Sequence, residues 1–309
     1  MAVIIKSFAV RDEKGVGGDM FYIKHASSNF TIIDCYITEI NRKKIVDEIR
    51  QMRKGKHVTR FISTHPDEDH ICGLEYLDKH INILNFYCVE NKAKKLNPSP
   101  SFSYYCKLRD DEDKNYYIYK GCKRKWLNDN DVLDGKNYGS SGINFLWPDV
   151  TNKEFQNALA LAKEGKAFNN LSPIFTYSGC VKAMWMGDME EDFLEKVKDQ
   201  IKWPEIDILF APHHGRKSGK VPNDILKKLN PTVIVIGEAP SKHLNYYQEY
   251  DTITQNSAGD ITFQCSEGII DVYISKTEYK DNNNISCLID DLENDDKNYL
   301  GSFFSKLKK

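Results

Sequence analysis

The sequence predicts an α/β sandwich, in which helices cover mixed β-sheets. Two observations lead to this prediction: strand-like runs are followed by alternating strand and helix patterns, and histidine and carboxylate clusters stand directly after apolar strands. With 309 residues, 40% of them hydrophobic, the chain can bury a substantial core. We expect one domain over 1–275, with an insertion at about 90–137, and a polar, acidic tail over 276–309.

The first third of the chain alternates apolar or β-branched runs with Gly, Ser and Asn, a pattern typical of strands. Predicted strands lie at Val3–Val10, Met20–His25, Phe30–Tyr36 and Val58–Ser63, and predicted helices at Ile40–Met52 and Ile71–His80. The segment THPDEDH directly follows the fourth strand and reads as a loop.

Regular patterns return after residue 137 and complete the body. Strands are predicted at Ile143–Trp147, Ser172–Ser178, Val181–Met186, Ile206–Phe210, Val233–Ile236, Ile261–Gln264 and Ile269–Ile274. Helices are predicted at Asn152–Lys163, Glu190–Ile201 and Pro222–Leu229. In the tail, the apolar spacing of Leu300, Phe303, Phe304 and Leu307 predicts a short amphipathic helix, which either covers the body or docks on a protein partner.

The insertion interleaves basic and aromatic residues. The basic residues are Lys92, Lys94, Lys95, Lys107, Arg109, Lys120, Lys123, Arg124 and Lys125, and the aromatic residues are Phe102, Tyr104, Tyr105, Tyr116, Tyr117, Tyr119 and Trp126. One interpretation is a solvated insertion whose aromatic rings pack on the body. The other is a basic, aromatic lip that binds nucleic acid through phosphate contacts and base stacking.

The amino-acid composition limits the classes of protein to which this chain can belong. The 43 Lys and Arg nearly balance the 45 Asp and Glu, so bulk charge does not indicate a dedicated nucleic-acid binder. The eight cysteines form no CxxC pair, and we expect reduced thiols rather than a disulfide frame or a cysteine zinc site. Neither a signal peptide nor a transmembrane run is evident, so we expect a cytoplasmic protein without membrane contact.

The segment STHPDEDH is the strongest local signal for chemistry. It places His65, Asp67, Asp69 and His70 within six residues, directly after a strand. A loop at the carboxyl end of a strand can direct all four side chains to one point, and imidazole with carboxylate is a ligand set for Zn²⁺, Mn²⁺ or iron. The alternative is a charged loop in which Asp67 or Asp69 caps the following helix.

Two later segments strengthen the metal interpretation. Asp188 ends an apolar strand, where an acid has no packing role, although a carboxylate at a helix N-terminus is an alternative. His213 and His214 end another strand before a glycine, which indicates one metal ligand and one proton donor or phosphate contact.

The order HxDxDH, GD, PHHG resembles the metallo-β-lactamase superfamily. More narrowly, it is similar to the branch that contains the cytoplasmic metallo-β-lactamase-like domain of the competence DNA-uptake channel. That branch has aspartate at the position of Asp67, where the wider superfamily has histidine, and an asparagine pair followed by serine, matched by Asn169, Asn170 and Ser172. The resemblance covers residues 4–275 and implies a four-layer αββα sandwich.

The resemblance also implies two divalent metal ions, Zn²⁺ or Mn²⁺. One ion would be held by Asp69, His70, Asp188 and either His213 or His214. The other would be held by His65, Asp67 and the bridging Asp188, with Asn170 as a further candidate. Asp34 would support the ligand loop from behind. Because a carboxylate replaces an imidazole, the site is harder, which favours Mn²⁺.

The function that follows is a metal-dependent hydrolase that cleaves phosphodiester bonds, foremost a DNA or RNA nuclease. The candidate catalytic residues are Asp67, Asp69 and His214. Asp67 or Asp69 would orient the attacking water or take its proton, and whichever histidine of the His213–His214 pair is not the metal ligand, or else His243, would protonate the leaving oxygen. The candidate substrate-binding residues are Asn170, Ser172, Arg216, Lys217 and His243. The alternatives are a hydrolase activated by a protein partner in a defence or toxin-like assembly, and a small-molecule phosphodiesterase.

Overall fold

The computed structural model describes residues 2–130, 132, 135–243, 245–282, 285–289, 294 and 296–308. The helices are α1 (Arg42–Met52), α2 (Glu68–Ile71), α3 (Leu74–Ile81), α4 (Pro100–Arg109), α5 (Lys153–Lys163), α6 (Glu191–Val197), α7 (Asn223–Leu229) and α8 (Gln255–Ala258). The strands are β1 (Val3–Ser7), β2 (Val10–Arg11), β3 (Gly17–Gly18), β4 (Phe21–Lys24), β5 (Asn29–Ile33), β6 (Cys35–Tyr36), β7 (Val58–Ile62), β8 (Asn85–Cys88), β9 (Asn115–Tyr117), β10 (Ile143–Trp147), β11 (Ile174–Ser178), β12 (Lys182–Trp185), β13 (Ile208–Phe210), β14 (Val233–Ile236), β15 (Thr252–Thr254), β16 (Ile261–Ser266), β17 (Ile269–Ile274) and β18 (Tyr299–Phe304).

The strands form two large sheets and one short ribbon. The first sheet has the order β18-β17-β16-β1-β4-β5-β7-β8-β9, and the second has the order β10-β11-β12-β13-β14-β15. Strands β5, β7, β8 and β9 run parallel to one another, as do β12, β13, β14 and β15. Loops that follow these strands therefore collect at the carboxyl edges of the two sheets, where the functional side chains lie.

Aromatic side chains join the two sheets face to face. The ring of Phe21 on β4 lies 6.2 Å from that of Trp185 and 5.0 Å from that of Phe210, and both contacts are edge-on. Trp185 in turn stacks on Phe175 and Phe210 within the second sheet. These rings are almost fully buried, so the space between the sheets is the main apolar core.

Helices cover the outer face of each sheet. On the first sheet, α1, α3 and α4 bury Ile45, Leu77 and Phe102 in a second apolar cluster. On the second sheet, the rings of Phe155 in α5 and Phe193 in α6 lie 5.8 and 6.0 Å from that of Trp147. The layer order is helix, sheet, sheet, helix, which confirms the predicted four-layer αββα sandwich.

The predicted loop and helix around THPDEDH are arranged differently. Asp69 and His70 lie in the single turn of α2, and the predicted helix over Ile71–His80 begins only at Leu74. Gly73 separates α2 from α3 with a φ of +77°, a backbone conformation that suits glycine. Asp67 precedes α2, but its side chain makes no cap hydrogen bond, so the structure does not support the capping alternative.

The insertion at 90–137 is more regular than predicted. It contributes α4 and also β9, which extends the first sheet beside β8. Its aromatic residues Phe102 and Tyr105 are buried, and the guanidinium of Arg124 lies over the rings of Tyr87 and Tyr116. These contacts favour the interpretation in which the rings pack on the body. Asp131, Leu133 and Asp134 of this segment lie outside the described residues.

The prediction of an amphipathic helix in the tail is wrong. Leu300, Phe303 and Phe304 lie in β18, which pairs antiparallel with β17. Gly301 disfavours a helix at this point, and a sheet edge offers backbone partners that sequence periodicity cannot reveal. The tail therefore covers part of the body, while residues 290–293 of its acidic stretch are outside the described part of the chain.

One pair of cysteines differs from the sequence prediction. Cys180 and Cys265 are paired across 85 residues of sequence, a contact that the prediction of reduced thiols did not include. Sequence spacing could not show it, because the two residues meet only when β16 lies near the start of β12.

No helix within the described part of the chain is both long and apolar enough to cross a bilayer.

Candidate metal centre

The predicted ligands meet where the carboxyl ends of three strands come together. His65, Asp67 and the α2 turn follow β7 of the first sheet. Asp188 follows β12 and the His213–His214 pair follows β13, which are parallel neighbours in the second sheet. The site thus lies at one edge of the sandwich and takes side chains from both sheets.

Three imidazoles stand in a row at the centre of this site. The ring centroids of His65 and His70 are 4.2 Å apart, and those of His70 and His214 are 5.3 Å apart. All three side chains are almost completely buried. Each ring has an oxygen beside its Nδ1 atom: Thr64 Oγ1 at 3.1 Å from His65, Asp34 Oδ2 at 2.9 Å from His70, and Asp19 Oδ1 at 3.0 Å from His214.

The opposite nitrogens of the same rings are unpaired. Within the described residues, the Nε2 atoms of His65, His70 and His214 are buried without a hydrogen-bond partner, as is Oδ1 of Asp188. Burying polar atoms without partners is costly, and such atoms usually mark a missing partner. Because Nδ1 is held from behind, each ring directs Nε2 at the centre, where the deprotonated imidazole has the lone pair that a metal ion needs.

The spacing of the donor atoms fits a divalent cation. Nε2 of His70 lies 3.1 Å from Oδ1 of Asp188, and Nε2 of His214 lies 3.3 Å from Oδ2 of Asp69 and 3.7 Å from Oδ2 of Asp188. Metal bonds of about 2.1 Å place tetrahedral ligands about 3.4 Å from one another. His70, Asp188 and His214 are therefore spaced as ligands of one divalent ion would be, and Asp69 adjoins this group through its contact with His214.

The pKa shifts reflect carboxylates crowded around the imidazoles. Burial alone would lower the pKa of His70, but Asp188 and Asp34 raise it well above its ordinary value. Burial likewise opposes protonation of His214, but Asp19 and Asp188 raise its pKa to about 10. The carboxylates that favour a proton on these rings would also favour a divalent cation in its place, so metal binding would release protons.

The second predicted position is more open. Nε2 of His65 lies 3.6 Å from Oδ2 of Asp67, whose side chain is 34% exposed. Burial would raise the pKa of Asp67, but His65 and Lys95 lower it, so this carboxylate is ionised. With Asp188 between the two positions, His65 and Asp67 offer fewer buried donors than the first group.

Asn170 and Ser172 both contact the segment that carries Asp188. The Asn170 amide nitrogen donates to Oε2 of Glu190 at 2.8 Å, and its oxygen accepts from the Glu190 backbone N–H at 3.1 Å. Ser172 is fully buried, and its Oγ accepts from the Asp188 backbone N–H at 3.1 Å. These contacts help to position the ligand segment, and the predicted roles of the two residues toward metal or substrate stay predictions.

The two adjacent histidines occupy different environments. His214 is buried and faces Asp69 and Asp188, whereas the side chain of His213 is 15% exposed and its Nδ1 lies 2.9 Å from Oγ of Ser218. Burial lowers the pKa of His213. Both residues have positive φ angles, 52° and 54°, a strained conformation typical of functional sites. Nε2 of His213 lies 3.6 Å from Oδ2 of Asp188 and Nε2 of His214 lies 3.7 Å from it, so both imidazoles face this carboxylate, and only His214 also faces Asp69.

A cleft of about 530 Å³ opens beside His213. Three of the predicted substrate-binding residues line it, namely Arg216, Lys217 and His243. His243 accepts from the backbone N–H of Lys217 at 3.4 Å. The opposite side of the cleft is acidic and is formed by Glu190, Glu191 and Asp192.

Sequence reasoning missed Asp19. It lies between β3 and β4, and its carboxylate, with His70, Asp188 and His214, places one donor atom within 4.8 Å of each of the others. The preceding Gly18 allows this close approach, because a Cβ there would clash with Tyr36 and with the backbone oxygen of Asp69, but no sequence pattern marks Asp19. Asp34, predicted to support the ligand loop, accepts from Thr64 N at 2.7 Å and contacts His70.

The fold and the site together define an α/β-sandwich protein with a buried His/Asp cluster suited to a divalent metal ion. The sequence matches no family model, and no curated protein is similar enough to count as a relative. Among solved structures, the chain is similar to a candidate Zn-dependent hydrolase of the metallo-β-lactamase superfamily from Thermotoga maritima. The TM-score is 0.31 with 11% identity, over 80% of this chain and 87% of that one. A likeness this weak adds nothing to what the site residues show.

Proposed function

We propose that the protein is a metal-dependent hydrolase of the metallo-β-lactamase superfamily that cleaves phosphodiester bonds, foremost those of DNA or RNA. One observation carries the proposal. The Nε2 atoms of His65, His70 and His214 are buried without hydrogen-bond partners. Asp188 lies beside His70 and His214, and the two ends of the group carry Asp67 beside His65 and Asp69 beside His214. Asp69, His70, Asp188 and His214 would hold one ion, and His65, Asp67 and Asp188 would hold the other.

The chemistry suits phosphate transfer to water. Two divalent ions, Zn²⁺ or Mn²⁺, would supply Lewis acidity toward the phosphoryl oxygens and lower the pKa of an attacking water. Asp67, the more exposed carboxylate, can accept a proton from that water. His213 opens onto the cleft and can protonate the leaving oxygen, while Arg216 and Lys217 provide charge for the phosphate. The carboxylate-rich ligand set favours Mn²⁺ over Zn²⁺.

Cleavage of labelled polymers tests the proposal. Purified protein would be incubated with Mn²⁺ and with single-stranded DNA, duplex DNA or RNA, beside the double variant Asp69→Ala/His70→Ala. We expect cleavage by the native chain and none by the variant, which retains its fold by circular dichroism. Equal cleavage by a folded variant would disprove the proposed site. No cleavage of any polymer by metal-loaded protein would disprove the nuclease function.

A small-molecule phosphodiesterase is the second candidate, and the cleft supports it. A volume of about 530 Å³ lies within the range of small-ligand sites. Glu190, Glu191 and Asp192 also repel a polyanion that follows this wall. A chromogenic phosphodiester with one phosphate, tested beside the polymers, separates the two candidates. Activation by a protein partner at the tail and a cytoplasmic location stay predictions.

A further inference from the structure

Lys95 of the insertion reaches the His65 end of the metal centre. Its ammonium nitrogen donates to the backbone oxygen of Pro66 at 3.0 Å and lies 3.4 Å from Oδ1 of Asp67. An ammonium group has three N–H bonds, so these two contacts leave one for a further acceptor. The Lys95 side chain is 22% exposed, and that acceptor can arrive from solvent.

Two aromatic rings hold Lys95 in this position. Its ammonium lies 4.9 Å from the ring centroid of Phe102 and 5.2 Å from that of Phe168, and both rings are nearly buried. Cation–π contacts of this kind fix a side chain that is otherwise flexible. Because its rotamers are already restricted, Lys95 would lose little entropy on binding an anion. A solvated surface lysine has no such support.

The charge of Lys95 offsets that of a candidate ligand. Asp67 brings a negative charge to the His65 end of the metal centre. A centre with this extra carboxylate attracts cations more strongly and attracts a phosphate less strongly. Lys95 lies against this carboxylate and restores positive charge at the open side of the second metal position.

We propose that Lys95 binds a phosphate oxygen of the substrate at the Asp67 end of the metal centre. The inference rests on the proposed phosphodiesterase function and adds an anion contact distinct from Arg216 and Lys217. Those two residues follow His214 and line the cleft at the other end of the imidazole row. Lys95 is thus a binding residue that the basic-aromatic insertion supplies to the site.

The test measures binding of two probes to the full chain by calorimetry. The probes are Mn²⁺ alone and inorganic phosphate added to Mn²⁺-loaded protein. In Lys95→Met we expect the dissociation constant for phosphate to rise about tenfold, as for loss of one charge-assisted hydrogen bond. Mn²⁺ should bind more tightly in the same variant, because the ammonium no longer competes for Asp67.

Two further variants serve as controls. Lys95→Arg keeps the charge and should keep most of the phosphate affinity. Lys94→Met removes the neighbouring exposed lysine and should change neither dissociation constant. Circular dichroism and thermal unfolding would show that each variant is folded.

The inference is overturned if Lys95→Met binds phosphate as tightly as the native chain. It is also overturned if phosphate and Mn²⁺ both bind more weakly, since Lys95 would then only support the local structure. Neither measurement depends on cleavage. A protein that shows the opposite shifts of the two constants but hydrolyses no phosphodiester would keep the role of Lys95 and lose the proposed function.

Discussion

At the scale of single residues, the centre depends on acids that stand behind the histidines. Asp34 and Asp19 accept from the Nδ1 sides of His70 and His214, which fixes each ring with its Nε2 directed at the centre. A carboxylate in this position also makes the imidazole a stronger donor. We therefore expect both aspartates to affect metal affinity, Asp34 through His70 and Asp19 through His214 or as a further ligand.

We expect Asp19→Asn to weaken Zn²⁺ or Mn²⁺ binding by about 10- to 100-fold, the usual cost of losing such a partner. The amide keeps the shape of the side chain but loses the charge that orients His214. Calorimetric titration would measure the affinity, with Asp47→Asn as the control, because Asp47 is an exposed helix residue paired only with surface cations. Unchanged affinity in Asp19→Asn would show that Asp19 does not orient the ligand.

Local spacing explains which site residues could be predicted. Four candidate ligands follow one strand within six residues, namely His65, Asp67, Asp69 and His70. Their proximity could therefore be predicted from the sequence. Asp19 contacts His214 across 195 positions, and Lys95 reaches Asp67 from a segment without regular pattern. Single residues brought in by tertiary packing leave no local pattern.

At the scale of elements, strand β18 decides how the tail behaves. Asp207 is fully buried, and its carboxylate accepts from Ser305 Oγ at 2.9 Å and from the backbone N–H of Lys306 at 2.8 Å. The segment just after β18 thus joins the second sheet, while β18 itself pairs with β17 in the first. Periodicity predicted the apolar residues of this segment correctly but not their strand conformation, because edge pairing depends on a distant partner.

Removal of residues 297–309 should destabilise the protein by at least about 3 kcal/mol. The deletion leaves the buried Asp207 carboxylate without two donors, each worth about 1.5–3 kcal/mol, and uncovers the edge of β17. Urea-induced unfolding would measure the loss, and Ser305→Ala, which removes one of the two donors, should reproduce about 1.5–3 kcal/mol of it. A truncated chain as stable as the native one would mean that the tail serves only to recruit a partner.

At the scale of the whole molecule, the centre joins the two sheets. The segment after β7 of the first sheet carries His65, Asp67, Asp69 and His70. The segments after β12 and β13 of the second sheet carry Asp188 and His214. An ion held by both groups binds the folded chain and not the unfolded one, so it stabilises the entire sandwich.

Chelation should therefore lower the Tm of the whole protein. At a metal concentration about 100 times the dissociation constant, the bound ion contributes about 2.7 kcal/mol. Differential scanning calorimetry with Mn²⁺ and then with excess EDTA would measure the change. The Asp69→Ala/His70→Ala variant should show no such difference. Equal Tm values for native protein with and without metal would contradict an ion shared by the two sheets.

The strand order of the first sheet has a consequence for biosynthesis. Val3 on β1 pairs with Cys265 on β16, so a strand made at the start of translation waits for one made some 260 residues later. Until then β1 has an unpaired edge beside its apolar residues, and such an edge readily pairs with another chain. A nascent or truncated polypeptide that stops before residue 261 exposes this edge permanently. Chaperone protection during elongation would be needed most at this strand.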